Sequence, residues 1–383
     1  MKILIGIHEI ANLVKDFGDT LSGAGYDVKT LSYGGHQFYR HNEYSYFIKF
    51  PTLFKKNAAT RFLYPLLVLP FYLPLIFKFD TFIFVWSITF LPLNLDLFLL
   101  RWLGKRVIIF NCGSEVRYRP IHYRIDTEVL SLPRFKDKAF EATFIKSSLS
   151  FLRTFYTQKV QEWSGCQIVS LRDQATFQKK DYFIFQLATQ KVVDGPKKTN
   201  AVPLIIHAPS NRAIKGTEYV LAAIDMLKQE GLEFDFELIE GQDNAYVLSR
   251  LAAADIAVDE PGVWIAKFSS EALAASCVVI GGNNPRYMGF ARTDSPVIQF
   301  RPDTEYLART LRRLILDQPE RQAVMQASYA YWQNNYSPEA FVSYFEKLLI
   351  GQGETFAALP SHKKMLLKFA PKEYQKRLIW LFY

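Results

Sequence analysis

The sequence is poor in cysteine and contains only Cys112, Cys166 and Cys277 among its 383 residues. These three lie far apart and form no Cys-x-x-Cys pair, which argues against a disulfide framework and a zinc site and fits a reducing cytoplasm. The chain also lacks zinc-finger and RNP-type motifs and a convincing cluster of metal-ligating residues. We therefore predict a cytoplasmic protein that binds neither nucleic acid nor a metal ion and needs no cofactor.

Long uninterrupted apolar runs are also missing. The stretches 62–77 and 81–95 contain no charged residue, but each is shorter than the roughly 20 residues that a membrane-spanning helix requires. They are interrupted by prolines, namely Pro65, Pro70, Pro74 and Pro92. We interpret both stretches as buried core or as contacts with a membrane surface, rather than as spanning helices.

The composition is typical of a folded protein with anionic partners. Hydrophobic residues make up 49% of the chain and charged residues 22%, which is typical of globular rather than disordered proteins. The formal net charge is +9, which favours partners such as phosphorylated metabolites or an anionic membrane surface. The length exceeds that of one ordinary domain, so we expect two domains.

Strand and helix patterns alternate in both halves of the chain. The strand pattern "KILIGI" precedes a helix pattern in the first half, and "VPLIIHAP" precedes the amphipathic "TEYVLAAIDMLKQEG", which Thr217 is suited to cap, in the second. Such alternation predicts parallel sheets with right-handed crossovers. We expect an α/β protein in which two doubly wound, Rossmann-like domains face a cleft, with ligands beyond the carboxyl ends of the strands.

The polar segment 189–203 contains Gly195, Pro196 and adjacent lysines, and it is the best candidate for a linker. We predict an N-terminal domain over 1–188, a second domain over 204–345 and a helical tail over 346–383. Because the tail combines basic and aromatic residues, we expect it to pack on the N-terminal domain or to bind an anionic membrane surface.

The segment "HAPSNRAIKG" is the first candidate for a ligand site. It joins a strand pattern to a helix pattern, so Lys215 and Gly216 should lie at a helix N-terminus. Backbone amides and the helix dipole favour an anion there, and the guanidinium of Arg212 suits phosphate oxygens. On charge alone, however, an ordinary solvated loop is the simpler interpretation.

The segment "VDEPGVWIAKFSSEALAAS" changes that balance, because it starts a second helix at the same edge of the predicted sheet. Lys267 and the free amides of its first turn could contact a phosphate. Glu271, one turn into this helix, could accept hydrogen bonds from a ribose diol. Two such helix starts are a more specific signal than either one alone.

Together these segments resemble the nucleotide-sugar domain of GT-B glycosyltransferases, in particular family 4 (glycosyl transferases group 1). "NRAIKGTEYVLAAI" resembles their Arg/Lys-Gly segment before a helix, and "FSSEALAASCVVIGG" resembles their Glu-Ala-(Met/Leu)-Ala segment before a strand. In the first half, "NLDLFLLRWLGKRVIIFNCGSEVR" resembles a strand and loop that often reads His-Gly-Ser-Asp-Val-Arg. The ordered set covers roughly residues 1–345.

The resemblance implies a metal-independent enzyme of polysaccharide biosynthesis that moves a sugar, with retention, from a nucleoside diphosphate to a glycan or lipid-linked acceptor. It implies a donor site formed by Arg212, Lys215, Gly216, Lys267, Phe268, Ser269 and Glu271. Arg212 and Lys215 would hold the diphosphate, and Glu271 the ribose. Preorganised positive groups would stabilise the charge that the leaving diphosphate gains. The protein would be cytoplasmic and peripherally associated with the membrane.

The sequence departs from the family pattern at several positions. Val263 stands where a second Glu is usual, eight residues before Glu271, and Ala266 stands where a Gly is frequent. In the first half, Cys112 replaces a frequent His.

On the opposite side of the cleft, Asn12 and Arg117 are candidate acceptor-side residues, and Cys112 and Glu115 are candidate catalytic residues. An ordinary charged loop explains Glu115 and Arg117 equally well. Two other functions stay open. One is an inactive GT-B module that serves as a partner or regulator of another transferase, and the other is a nucleotide-sugar epimerase with the same architecture.

Overall fold

The computed structural model describes residues 1–34, 38–39, 43–49, 67–113, 115–116, 148–178, 180–262, 264–284 and 294–357. Within these ranges the chain forms two largely parallel β-sheets flanked by helices, as the predicted α/β class requires. Buried apolar clusters lie on both faces of each sheet. Such two-sided burial is typical of doubly wound folds.

The first sheet contains eight strands. They are β1 (Lys2–Gly6), β2 (Asp27–Tyr33), β3 (Tyr46–Ile48), β4 (Thr81–Val85), β5 (Arg106–Asn111), β6 (Gln167–Ser170), β7 (Tyr182–Ile184) and β13 (Thr355–Phe356). The helices are α1 (Leu13–Gly23), α2 (Leu69–Lys78), α3 (Asp96–Trp102) and α4 (Ser148–Ser164). The spatial order is β13-β7-β6-β5-β4-β1-β2-β3, and neighbours are parallel except β13 and β7.

Strand β1 shows why this sheet is apolar on both faces. Ile3 and Ile5 pack in the cluster that contains the buried residues of α1, whereas Leu4 packs in the cluster that contains those of α2 and α3. Alternate side chains of a strand point to opposite faces, so a near-continuous apolar run is needed when both faces are covered. Gly104, with φ +68°, follows the end of α3 as the sequence predicts.

The second sheet contains five parallel strands in the order β12-β11-β10-β8-β9. They are β8 (Leu204–His207), β9 (Asp235–Leu238), β10 (Ile256–Val258), β11 (Val278–Gly281) and β12 (Ile298–Gln299). The helices are the short α5 (Arg212–Lys215), then α6 (Thr217–Gln229), α7 (Asn244–Ala253), α8 (Lys267–Ala274), α9 (Thr304–Leu316), α10 (Gln318–Asn335) and α11 (Pro338–Leu349).

The strand order reverses once within each sheet, between β1 and β4 in the first and between β8 and β10 in the second. Ligands of open α/β sheets bind beyond the carboxyl ends of the strands at such a reversal. In the second sheet the reversal lies between the loop that follows β8 and the loop that follows β10. The fold therefore directs attention to these two loops.

The last described part of the chain returns to the first sheet. Helix α11 packs against α1, where the rings of Phe341 and Phe17 stack with centroids 4.5 Å apart. Strand β13 then pairs with β7. Within the predicted helical tail, α11 ends at Leu349 and a strand follows, and residues 358–383 lie outside the described ranges. The segment 189–203 joins the two sheets, and the predicted domain ranges remain predictions.

One local prediction needs correction. Thr217 does not cap α6, because Gly216 holds the cap position in the left-handed region and the Thr217 hydroxyl bonds instead to His207. The stretch 62–77 is described from Leu67 onward, and there it forms helix α2, of which one side is buried and the other exposed. The described ranges contain no helix with the length and apolar character that crossing a bilayer demands.

Candidate functional site

A cavity of about 350 Å³ opens at the strand-order reversal of the second sheet. Four of the predicted donor-site residues, Lys215, Lys267, Phe268 and Glu271, contribute to its wall. Residues of the first half of the chain, Ala11, Phe38 and Tyr39, close it from the other side. Predicted residues from both halves of the second sheet therefore meet in one cleft.

Lys215 reaches this cavity because of the local geometry of the loop after β8. The Asn211 side chain caps α5 by accepting a hydrogen bond from the amide of Ile214 at 3.0 Å. Gly216 then turns the chain with φ +65°, and a Cβ added there would lie 3.2 Å from the Pro261 ring. Glycine is thus needed both for the left-handed backbone and for the close approach of Pro261.

The ammonium of Lys215 is paired with two carboxylates of its own domain. Its Nζ lies 2.7 Å from Oδ1 of Asp259 and 3.3 Å from an oxygen of Glu260. Although burial alone would lower the pKa of Lys215, these carboxylates raise it above its ordinary value. Lys215 is therefore a charged side chain with partners inside the site.

Asp259 also binds the first turn of α8. Its Oδ2 accepts hydrogen bonds from the backbone amide of Ser269 at 3.0 Å and from the Ser269 hydroxyl at 2.5 Å. The Ser269 amide and the Lys215 ammonium are the two kinds of group that the sequence predicts to bind a phosphate. In this structure a carboxylate of the protein occupies the position between them.

Arg212 lies apart from the cavity. Its guanidinium makes two hydrogen bonds to the Glu240 carboxylate, at 2.9 and 2.7 Å, and an ion pair of 3.5 Å with Glu218. The Glu240 hydrogen bond raises the pKa of Arg212 further. Arg212, Gly216 and Ser269 do not belong to the described residues that line the cavity. Their predicted donor-binding roles remain predictions.

Lys267 joins the two halves of the cleft. Its Nζ lies 2.6 Å from Oδ2 of Asp16, on α1, and 3.7 Å from Oε1 of Glu271. Burial would lower the pKa of Lys267, but the two carboxylates raise it. Burial raises the pKa values of Asp16 and Glu271, and Lys267 opposes that shift in both. The ion pair thus links the first turns of α1 and α8, two helices that pack on different sheets.

Glu271 is buried and lines the cavity, and its ribose-binding role stays a prediction. Its Oε1 accepts a hydrogen bond from Nδ2 of Asn244 at 3.2 Å. The backbone amide of Asn244 in turn bonds to the carbonyl of Phe38 at 3.0 Å. Asn244 therefore connects the predicted ribose-binding carboxylate to the wall supplied by the first half of the chain.

A second cavity, of about 280 Å³, lies behind the Lys267–Glu271 pair and is lined by Asn12, the predicted acceptor-side residue. Asn12 donates a hydrogen bond from Nδ2 to Oδ1 of Asp16 at 2.9 Å. Asn12 therefore supports the carboxylate that pairs with Lys267. The two cavities share Asn244, Lys267 and Glu271 in their walls.

The other first-half candidates lie elsewhere. An oxygen of Glu115 accepts hydrogen bonds from the backbone amides of Cys112 and Gly113 at 2.6 and 3.1 Å, so this side chain folds back onto its own loop. Neither Cys112 nor Glu115 belongs to the described lining of the two cavities. Arg117, like Val263, lies outside the described residues. The catalytic assignments remain predictions.

Two buried ionisable groups support the loops that frame the cleft. Glu9 accepts hydrogen bonds from the amides of Val14 and Lys15, in the first turn of α1, and burial raises its pKa to about 7. His207 bonds to the carbonyl of Val258 and to the Thr217 hydroxyl, and burial lowers its pKa to about 4. His207 is therefore neutral near pH 7 and ties β8 to β10.

The sequence interpretation missed Asp16, Asn244 and Asp259, although Asn244 and Asp259 each had a detectable signal. Asp259 directly follows strand β10, and Asn244 begins α7, the helix that follows β9, so both lie near the carboxyl ends of strands. Polar residues at that edge are the expected ligand contacts of this fold class. Asp16 had no such signal, because its partner Lys267 is 251 residues away in the chain.

The described residues contain no group of three or more His, Cys, Asp or Glu placed to hold a metal ion. Each of the acidic clusters around Lys215 and Lys267 already contains an ammonium at ion-pair distance. The predicted independence from metals is not tested by this observation.

No protein-family profile and no curated protein matches the chain. Several solved structures, in contrast, are similar to it in fold. Sucrose-phosphate synthase from Thermosynechococcus elongatus aligns with a TM-score of 0.56 and 12% identity, over 92% of this chain and 99% of the other. Anabaena HepE in complex with UDP aligns with a TM-score of 0.53 and 10% identity, over 92% and 100%. The chain has the GT-B glycosyltransferase-like fold.

A third similar structure is a protein assigned as a UDP-N-acetylglucosamine 2-epimerase from Listeria monocytogenes. It aligns with a TM-score of 0.51 and 9% identity, over 93% of this chain and 100% of the other. The GT-B fold, with two Rossmann-like domains that face a cleft, is thus shared by proteins of more than one activity. The predicted fold class is confirmed, and the reaction has to be argued from the site.

Proposed function

We propose that this protein transfers a sugar from a nucleoside-diphosphate donor to an acceptor. The observation that carries the proposal is the cleft cavity, which brings Lys215, Lys267, Phe268 and Glu271 together at the strand-order reversal. Support also comes from the similar structures, of which HepE is named as a UDP complex. A volume of about 350 Å³ is in the range of small-molecule sites.

In the proposed complex the donor diphosphate takes the place that the Asp259 carboxylate holds between Lys215 and the first turn of α8. Lys215 and the Ser269 amide exchange one anion for another, so neither is left unpaired. Glu271 accepts hydrogen bonds from the ribose hydroxyls. As the glycosidic bond breaks, the leaving diphosphate gains negative charge, and Lys215 with Lys267 stabilises it.

The finer parts of the proposal follow from the family resemblance. The acceptor is a glycan or a lipid-linked sugar, the configuration of the donor sugar is retained, and no metal is required. The protein belongs to polysaccharide biosynthesis and works in the cytoplasm, at a membrane surface. Arg212 contributes to donor binding only if the donor draws it away from Glu240.

A turnover assay with a panel of nucleotide sugars tests the proposal. Lys215→Ala should lower donor hydrolysis or transfer by a factor of ~100–1000, the usual effect of losing one preorganised donor to a charged transition state. Glu271→Gln keeps the side-chain volume and should also lower turnover. It keeps the test valid if Lys215→Ala does not fold. Lys228→Ala, on the exposed side of α6, is the matched control. Wild-type turnover in both site variants contradicts the proposal.

An epimerase is the second candidate, and the similarity to the Listeria protein is the observation that favours it. The two reactions are separated by incubating the protein with a nucleotide sugar and no acceptor. An epimerase accumulates an epimeric nucleotide sugar, whereas a transferase gives only slow hydrolysis. The third reading, an inactive module, predicts no turnover and no nucleotide binding at millimolar concentration.

A further inference from the structure

Helix α2 is apolar on both sides. Tyr72, Leu75 and Ile76 are buried against the first sheet. The opposite side is exposed and consists of Pro70, Phe71, Leu73, Pro74, Phe77 and Lys78. Phe77 is 67% exposed, and Leu67, just before the helix, is 64% exposed. A helix that is hydrophobic all round is normally covered on every side by protein or lipid.

Helix α3 also carries exposed apolar side chains. Its buried residues Leu97 and Leu100 belong to the same cluster as Tyr72, so α2 and α3 cover the same face of the first sheet. The exposed side chains of α3 include Phe98 and Trp102, and Trp102 is 80% exposed. Large exposed apolar side chains that share one face indicate an interaction site rather than ordinary surface. We call Leu67, Phe71, Leu73, Phe77, Phe98 and Trp102 the apolar face.

Basic side chains lie beside the apolar face. Nζ of Lys78 is 5.8 Å from the ring centroids of both Tyr46 and Phe79. On α4, which covers the same face of the sheet, Nζ of Lys159 is 5.4 Å from the ring of Trp163 but is also paired with Glu162 at 3.0 Å. Arg101 is exposed next to Trp102. Lys78 and Arg101 therefore add positive charge beside the apolar face.

We propose that the apolar face docks on an anionic lipid bilayer. Its aromatic and leucine side chains enter the boundary between head groups and acyl chains, while Lys78 and Arg101 contact anionic head groups. A second copy of the chain suits this surface less well, because pairing about a two-fold axis would bring these cations together. Charge complementarity thus selects the lipid as the occupant.

This inference identifies the surface for the membrane association included in the proposed function, but it does not depend on catalysis. Binding to vesicles requires no nucleotide and no turnover. An inactive protein that binds vesicles through the apolar face would contradict the proposed function alone. An active transferase that ignores vesicles would contradict this inference alone.

Co-sedimentation with vesicles tests the inference. The full chain should bind vesicles of phosphatidylcholine with roughly 30% phosphatidylglycerol and bind pure phosphatidylcholine more weakly, because basic residues near the surface add attraction. The triple variant Phe71→Ser, Leu73→Ser, Phe77→Ser should lose at least about tenfold in affinity, since each side chain loses its burial in lipid. Lys78→Gln should lose about fivefold on anionic vesicles alone.

The matched control replaces exposed apolar residues away from this face, Leu316→Ser with Ile350→Ser, which are 70% and 66% exposed. It should bind vesicles like the wild type. Circular dichroism checks that the triple variant is folded. Equal vesicle binding by the folded triple variant, or none by the wild type, overturns the proposal. So does a wild-type dimer that the triple variant abolishes without any vesicle binding, because the occupant is then a second copy.

Discussion

The first loop of each domain follows the first strand of its sheet, yet the two loops carry opposite charge. After β1, the buried Glu9 accepts hydrogen bonds from amides in the first turn of α1. After β8, Asn211 caps the short helix α5 and Lys215 extends into the cleft. In the first loop, the carboxylate of Glu9 occupies the N-terminus of α1 and does not belong to the described lining of the cavity. In the second, a cation lies in the cavity wall.

This difference supports our proposal that the second domain binds the anion of a donor. Glu9 and Asp16 are buried carboxyl groups on the first-domain side, and their burial raises the pKa of each. Lys215 and Lys267 supply the cations on the other side, each balanced by carboxylates. The two lysines also differ in where their carboxylate partners lie. The main partner of Lys267 is in the first domain, whereas both partners of Lys215 are in the second domain, like Lys215 itself. Lys267 couples the domains, whereas Lys215 organises the site.

Removing Lys215 should have the largest effect on stability. Lys215→Met leaves the buried carboxylates of Asp259 and Glu260 without their cation, and breaking a buried pair in this way costs about 3–5 kcal/mol. Urea unfolding measures the free energy of unfolding. Lys228→Met, at an exposed position of α6, serves as the control and should leave it unchanged. Unaltered stability in Lys215→Met would show that the pair is not formed.

Glu9 should make the protein more stable at acidic pH than at neutral pH. Because burial raises its pKa from 4.5 to about 7, the folded state binds the proton more tightly than the unfolded state. The contribution is present below about pH 4.5 and is lost as the pH rises through 7, a change of about 3 kcal/mol. Urea unfolding at several pH values should show this loss in the wild type and not in Glu9→Gln. Parallel pH profiles for the two proteins would refute it.

The fold and part of the site follow from sequence patterns. Apolar runs with punctuating glycines predict the longer strands and helices, and two helix starts at one sheet edge predict the meeting of Lys215, Lys267 and Glu271. Two-residue and three-residue strands such as β12 and β3 leave no periodic signal. Arg212 pairs with Glu240, and Lys267 with Asp16, through tertiary contacts that no local pattern encodes.

Asp16 should matter to the coupling of the domains. Asp16→Asn removes the main carboxylate partner of Lys267 and should lower the free energy of unfolding by about 2 kcal/mol, the range for a hydrogen bond to a charged group. Asp19→Asn is the matched control, because Asp19 lies on the exposed side of α1 and pairs only with Lys15 in the described structure. An equal effect of both substitutions would contradict a special role for Asp16.

Asp259 should have the smallest effect, and its sign is informative. If its carboxylate holds the position of a phosphate, Asp259→Asn removes a competing anion and should tighten the binding of pyrophosphate by about tenfold, equivalent to about 1.4 kcal/mol. Isothermal titration calorimetry of the two proteins gives the comparison. Weaker binding in the variant would mean that Asp259 supports the site without competing for it.

The proposed function requires the second-domain side of the cleft to bind a nucleoside diphosphate. Calorimetric titration of the wild type and Glu271→Gln with UDP and GDP tests it most directly. We expect the wild type to bind one of these nucleotides with a Kd below about 1 mM, and Glu271→Gln to bind it about tenfold more weakly through the loss of hydrogen bonds from the ribose. No binding by the wild type at millimolar nucleotide, or equal affinity in the variant, would contradict the claim.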